Sequence, residues 1–141
     1  MTRALQGLAG ALLLFGGLIL APDAAAQGAK ATSNAPDFSD ITSKAAANRL
    51  VREGRLVRIR LFPAELGGRD DPHNIVYIPP AVEEVRQLLI GTLKRFTAED
   101  LIDQLDVRAD YKGASIVPSR IRFIATHSRG GAPFEAALEV W

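Results

Sequence analysis

The chain has no cysteine, only two histidines, and no apolar run long enough to span a membrane after its first residues. Each absence removes a class of chemistry. Without thiols there is no disulfide framework, no zinc ribbon and no thiol nucleophile. With only His73 and His127, one copy of the chain cannot assemble a multi-histidine metal site. No Gly-x-Ser-x-Gly elbow, Gly-x-x-x-x-Gly-Lys phosphate loop or His-Glu-x-x-His pair occurs, and Ser, His and Asp stand at no spacing that marks a triad. An excess of charge is missing too. The chain carries 17 basic against 16 acidic side chains, a net charge of +1, which selects no partner by global electrostatics.

What is present begins with a targeting pattern. Arg3 precedes an apolar stretch from Leu8 to Leu20, followed by Pro22 and the small residues Ala24-Ala25-Ala26. This is the order of a secretory signal peptide, with cleavage expected after Ala26. The stretch is roughly a dozen residues, short of the ~20 a spanning helix needs. Gly16-Gly17 weakens it further as an anchor. The processed protein is therefore expected to have no transmembrane anchor and to be exported, either to a periplasm or out of the cell. No cysteine follows the stretch, which excludes lipid attachment at a processed N-terminal cysteine. Removal of residues 1–26 takes away Arg3 and Asp23 together and leaves the net charge unchanged.

The remainder has the length of one domain and must bury a core without disulfides. Residues 27–39 are small and polar with a proline, and read as a flexible leader; residues 40–141 read as the domain. Asp40 is the expected N-cap of a short helix through Ile41, Ala45, Leu50 and Val51, stopped by Gly54. Val57, Ile59 and Leu61 then alternate with Arg58 and Arg60, a strand pattern ended by Pro63. Gly67-Gly68-Arg69-Asp70-Asp71-Pro72 is a turn cluster, and Ile75–Ile78 is a second strand facing the first. Pro80 suits the first turn of a helix in which Val82, Val85, Leu88, Leu89, Leu93 and Phe96 recur at three and four residues, to about Arg95. Thr97-Ala98-Glu99-Asp100 resembles a second helix start. Three strand candidates follow, around 105–111, 120–125 and 134–141, and suggest an antiparallel meander. The predicted class is α+β: a short helix, a ββα-like core and a meander in one small domain.

One stretch carries a family likeness. Arg60-Leu61-Phe62-Pro63 leading to Gly67-Gly68, then Asn74-Ile75-Val76 and the helix after Pro80, resembles the core of the ββα-metal (His-Asn-His type) nucleases and the related DNA/RNA non-specific endonucleases. Tyr111-Lys112-Gly113-Ala114-Ser115 followed by Pro118 is similar to a hairpin of the non-specific endonucleases, so the likeness covers roughly residues 56 to 141. It implies metal-assisted hydrolysis with a histidine as general base at the end of the first strand. At that position this chain has Arg60, which stays protonated and cannot accept a proton. Where the family places a metal-binding Asn or His on the helix, this chain has Glu83 or Glu84.

Three functional readings follow. In the first, the frame has lost its catalytic histidine and serves as a binding module with no cofactor. It contacts nucleic acid or another exported protein through Arg58, Arg60, Arg69, His73 and Asn74. In the second, His73 has taken over as base, with Asp71 or Glu83 at a magnesium-type ion. In the third, the likeness is accidental and the domain is an envelope protein with a partner of another kind. Each residue also has a structural reading. The arginine row reads as a solvated sheet face paired with acidic residues on the neighbouring strand. Asp70 and Asp71 read as turn formers, and His127 as a loop residue.

The targeting pattern makes one direct prediction. N-terminal sequencing of the exported product should begin at Gln27, and a product that still starts at Met1 would contradict it.

Overall fold

A computed structural model describes residues 36–141; the signal pattern and the leader up to residue 35 lie outside the described residues. The packed domain starts earlier than the composition suggests. Phe38, placed in the leader by its polar surroundings, is 2% exposed and meets Trp141 edge-on at 6.4 Å. Its carbonyl accepts from the buried Ser115 hydroxyl at 2.8 Å, and Ile116 N–H donates to the Ile41 carbonyl at 2.8 Å. Residues 38–41 thus close one end of the core. The reason is a single aromatic ring whose burial outweighs the polar tendency of its neighbours.

Helix α1 spans Lys44–Arg52 and is capped by Ser43, whose side chain accepts from Ala46 N–H at 3.2 Å. The expected cap, Asp40, lies in a turn instead: its carbonyl accepts from Thr42 N–H at 3.1 Å. At the other end Gly54 has φ +71°, the left-handed conformation that terminates helices, and Arg55 N–H returns to the Leu50 carbonyl at 2.9 Å. Ala47 and Leu50 are the residues α1 buries.

Strands β1 (Val57–Arg60) and β2 (Ile75–Ile78) form an antiparallel hairpin with Val57 opposite Ile78 and Arg60 opposite Ile75. The hairpin feeds into α2, Pro80–Ala98, with Pro79 as the N-cap. Helix α2 continues past Arg95. Thr97 donates its hydroxyl to the Leu93 carbonyl at 3.0 Å, a bond made within a helix and not at its start. The end comes at Asp100, with φ +56°, after which Leu101 N–H reaches back to the Phe96 carbonyl at 2.9 Å. That is the left-handed stop expected of a helix C-terminus, and aspartate tolerates the conformation better than most residues.

Of the apolar positions that recur along α2, Leu93 is buried and Val82, Leu89 and Phe96 pack against the core, whereas Val85 is 52% and Leu88 76% exposed. Arg86 and Ile90 are buried on the same helix, so an arginine takes part of the inward face that apolar spacing does not show.

Strands β3 (Gln104–Asp110), β4 (Arg120–Thr126) and β5 (Phe134–Glu139) form the expected meander in the order β3-β4-β5. Ile121, Phe123 and Ala125 of β4 are fully buried, and through Phe123, paired with Val107 and Ala136, the middle strand joins both neighbours. On the opposite face Arg122 makes two bonds to Asp110, at 2.9 and 2.8 Å. Those bonds hold the Asp110 carboxyl below its usual range. The Phe96 and Phe134 rings meet edge-on at 5.3 Å where α2 crosses β5. No helix of the described residues is long and apolar enough to cross a membrane.

Phe38→Ala should destabilise the domain by about 3–5 kcal/mol, the usual loss for a fully buried phenylalanine. Urea denaturation checks this, and a change within error would place Phe38 outside the cooperative core.

Candidate functional site

The residues singled out in the sequence separate into two groups. Arg58 and Arg60, on β1, line an open trough of about 300 Å³ between that strand and α2. Ile59 of β1, Ile75 of β2, Ala64, Glu65 and Asp70 from the β1–β2 loop, and Glu83, Arg86 and Gln87 from α2 also line it. Arg69 and His73 do not line it. Arg69 is exposed on the loop, and the His73 side chain is 97% exposed.

The loop between β1 and β2 is held by Asn74. Its Oδ1 accepts from Phe62 N–H at 2.7 Å, and its Nδ2 donates to the carbonyls of Phe62 at 3.1 Å and Arg69 at 2.9 Å. With its amide oxygen and nitrogen both bonded to backbone, Asn74 is a positioning residue of the loop. Gly68 makes this closure possible. A Cβ there would lie 2.0 Å from the Phe62 carbonyl oxygen, so no larger residue fits without moving the backbone. Asp71 caps the short turn Pro72–Asn74, accepting from His73 N–H at 2.7 Å and meeting His73 Nδ1 at 2.9 Å. The backbone bond, followed by the side-chain bond, keeps the Asp71 carboxyl below its ordinary range. Its turn-forming reading holds.

The arginine row is not paired across the hairpin. Strand β2 carries no acidic residue; Arg58 stands opposite Tyr77 and Arg60 opposite Ile75. The carboxylates come from elsewhere: Asp70 on the loop lies 3.5 Å from Arg60, and Arg58 has no acidic partner among the described residues.

The residue missed in the sequence is Arg86. It is 3% exposed, its Nη1 contacts both Glu83 oxygens at 3.1 and 3.0 Å, and its Nη2 donates to the Arg60 carbonyl at 2.6 Å. Its Nε has no partner among the described residues, a buried donor left unpaired at a cost to stability. The available signal was an arginine three residues after a glutamate on a helix face shared with Ile90 and Leu93.

This arrangement bears on the divalent ion that the nuclease likeness implies. Glu83 gives both oxygens to Arg86 and also accepts from Gln87, so its negative charge is already compensated. Glu84 is exposed, and Asp71 is engaged by His73. Among the described residues no three His, Cys, Asp or Glu side chains converge in a way that could hold a metal ion.

A second polar cluster lies where the α2–β3 turn meets the β4–β5 turn. His127 is partly buried, with Nε2 3.3 Å from Asp100 and Nδ1 accepting from Arg129 N–H at 3.0 Å. Ser128 directs its hydroxyl and its N–H to Asp103. The serine hydroxyl therefore bonds to the carboxylate and not to the histidine, so the trio lacks the order of a nucleophilic triad. Hydrogen bonds from His127 and Arg129 lower the Asp100 pKa, and the Ser128 hydroxyl lowers that of Asp103. The cluster fastens two turns together.

No family model, curated protein or solved structure matches this chain.

The Arg86–Glu83 pair gives an asymmetric prediction. Glu83→Ala strands a buried cation and should cost about 3–5 kcal/mol. Arg86→Met should cost less, because the remaining Glu83 carboxylate borders the open trough and can be hydrated. Chemical denaturation of both variants checks the order, and the reverse order would contradict the account of Arg86 as the buried member.

Proposed function

We propose that this chain is an exported, non-catalytic binding module built on a nuclease-like frame, with the β1–α2 trough as its contact surface. One observation carries the reading. The position of the general base is held by Arg60, a permanent cation whose backbone carbonyl is fixed by Arg86, while the same Arg86 neutralises the candidate metal ligand Glu83. The strand–loop–strand–helix order around an asparagine-closed loop supports the nuclease-like frame. Arg58, exposed and without a carboxylate partner among the described residues, supports binding: it is a cation at the mouth of the trough, available to an anionic group of a partner. His73 stands outside the trough, with its Nδ1 2.9 Å from Asp71 and its side chain 97% exposed, away from Glu83 and the arginines of β1.

Incubation of the processed protein with supercoiled plasmid and with RNA, in magnesium or manganese and then in chelator, should leave the nucleic acid intact. Divalent-dependent degradation that His73→Ala abolishes would overturn the reading in favour of a nuclease with a relocated base.

A further inference from the structure

The trough borders a strand edge, and the pairing of the hairpin determines which backbone groups lie there. Strand β1 pairs only with β2, so its other edge has no strand beside it among the described residues. Leu61 N–H donates to the Asn74 carbonyl at 2.7 Å. In an antiparallel ladder hydrogen-bonded pairs alternate with non-bonded ones, so Ile59 with Val76 and Val57 with Ile78 are also bonded pairs. The N–H and C=O groups of Arg58 and Arg60 therefore point away from β2, toward the trough. The Arg60 carbonyl is held by Arg86. The Arg58 N–H, Arg58 C=O and Arg60 N–H have no hydrogen-bond partner among the described residues.

Resting on the reading of the trough as a binding surface, we infer that it takes an extended acidic peptide segment of another protein, added antiparallel to β1 as a third strand. One residue of that segment lies opposite Arg58 and exchanges both backbone bonds with it, and the bond from Arg60 N–H follows two residues along. Arg86 ends the ladder by occupying the Arg60 carbonyl. Directly opposed residues of neighbouring strands share a face, so an aspartate or glutamate opposite Arg58 supplies the carboxylate that arginine lacks. The trough volume of about 300 Å³ suits a short stretch of main chain, in keeping with a strand as short as β1.

The backbone edge favours a peptide over nucleic acid: an edge that offers donors and an acceptor matches a peptide main chain, whereas phosphate oxygens only accept and would leave the Arg58 carbonyl unpaired. Glu83 and Asp70 are already paired with Arg86 and Arg60, which leaves Arg58 as the cation open to a partner's carboxylate.

The test is selection of a phage-displayed random octapeptide library on the processed protein and on its Arg58→Glu variant, whose melting temperature confirms that it folds. Enrichment of peptides with acidic residues at alternate positions is expected on the unaltered protein only. The best of them, made synthetically, should bind the variant about tenfold more weakly or worse. It should lose about as much when the amide nitrogen facing β1 is methylated, which removes a backbone donor and keeps every charge. Absence of enrichment, or affinity indifferent to methylation, overturns the strand-addition inference. So does Arg58-dependent binding of a single-stranded thymidine oligonucleotide with no peptide enriched. In all three cases the non-catalytic reading falls only if the cleavage assay also shows divalent-dependent degradation, so the two failures can be told apart.

Discussion

A guanidinium that is almost wholly removed from water must be compensated where it stands, and in this domain the compensation joins two elements. Arg86 is gripped by Glu83 one turn earlier on α2 and reaches across to the last carbonyl of β1. The helix and the hairpin are thereby fixed against each other at one point, and the wall and one end of the trough are set by the same contact. A buried ion pair of this kind adds little net stability compared with a well-packed apolar pair, but breaking it is costly. That asymmetry gives it specificity: hairpin and helix can slide relative to each other only by exposing an uncompensated charge.

Polar side chains fix the loops in the same way. Asn74 bonds to the backbone at both sides of the β1–β2 loop, and Gly68 lets the chain pass against the Phe62 carbonyl. At the α2–β3 corner, Asp100 and Asp103 anchor His127, Ser128 and Arg129 of the next turn. In both places a side chain supplies the hydrogen bonds that irregular backbone cannot make for itself. Along the trough, three backbone groups of β1 and the Arg58 guanidinium have no partner among the described residues.

The proposed reading of the trough turns on its three arginines. Arg60 stays protonated and cannot accept a proton, and Arg86 holds both oxygens of Glu83. Arg60 lies near Asp70, so Arg58 alone stands without an acidic partner among the described residues.

Much of the architecture was legible in the residues. The alternation of Val57, Ile59 and Leu61 with arginines, the turn cluster before Pro72 and the spacing after Pro80 located β1, β2 and α2, because strand and helix periods are local properties of the backbone. The α+β class and the meander followed from the same patterns, and Gly54 marked the end of α1. Local patterns misplaced what depends on distant partners. Phe38 looked like leader until Trp141 and Ser115 came to meet it, and α2 looked as though Val85 and Leu88 faced inward until Glu83 and the Arg60 carbonyl gave Arg86 a buried place. By itself the sequence determined the elements and the arginine that ends β1. Only the tertiary structure decided that Arg86 is buried on α2 while Val85 and Leu88 are not, and which edge of β1 stays open, since a charge can be buried, or a strand edge left free, only according to what other parts of the chain bring to it.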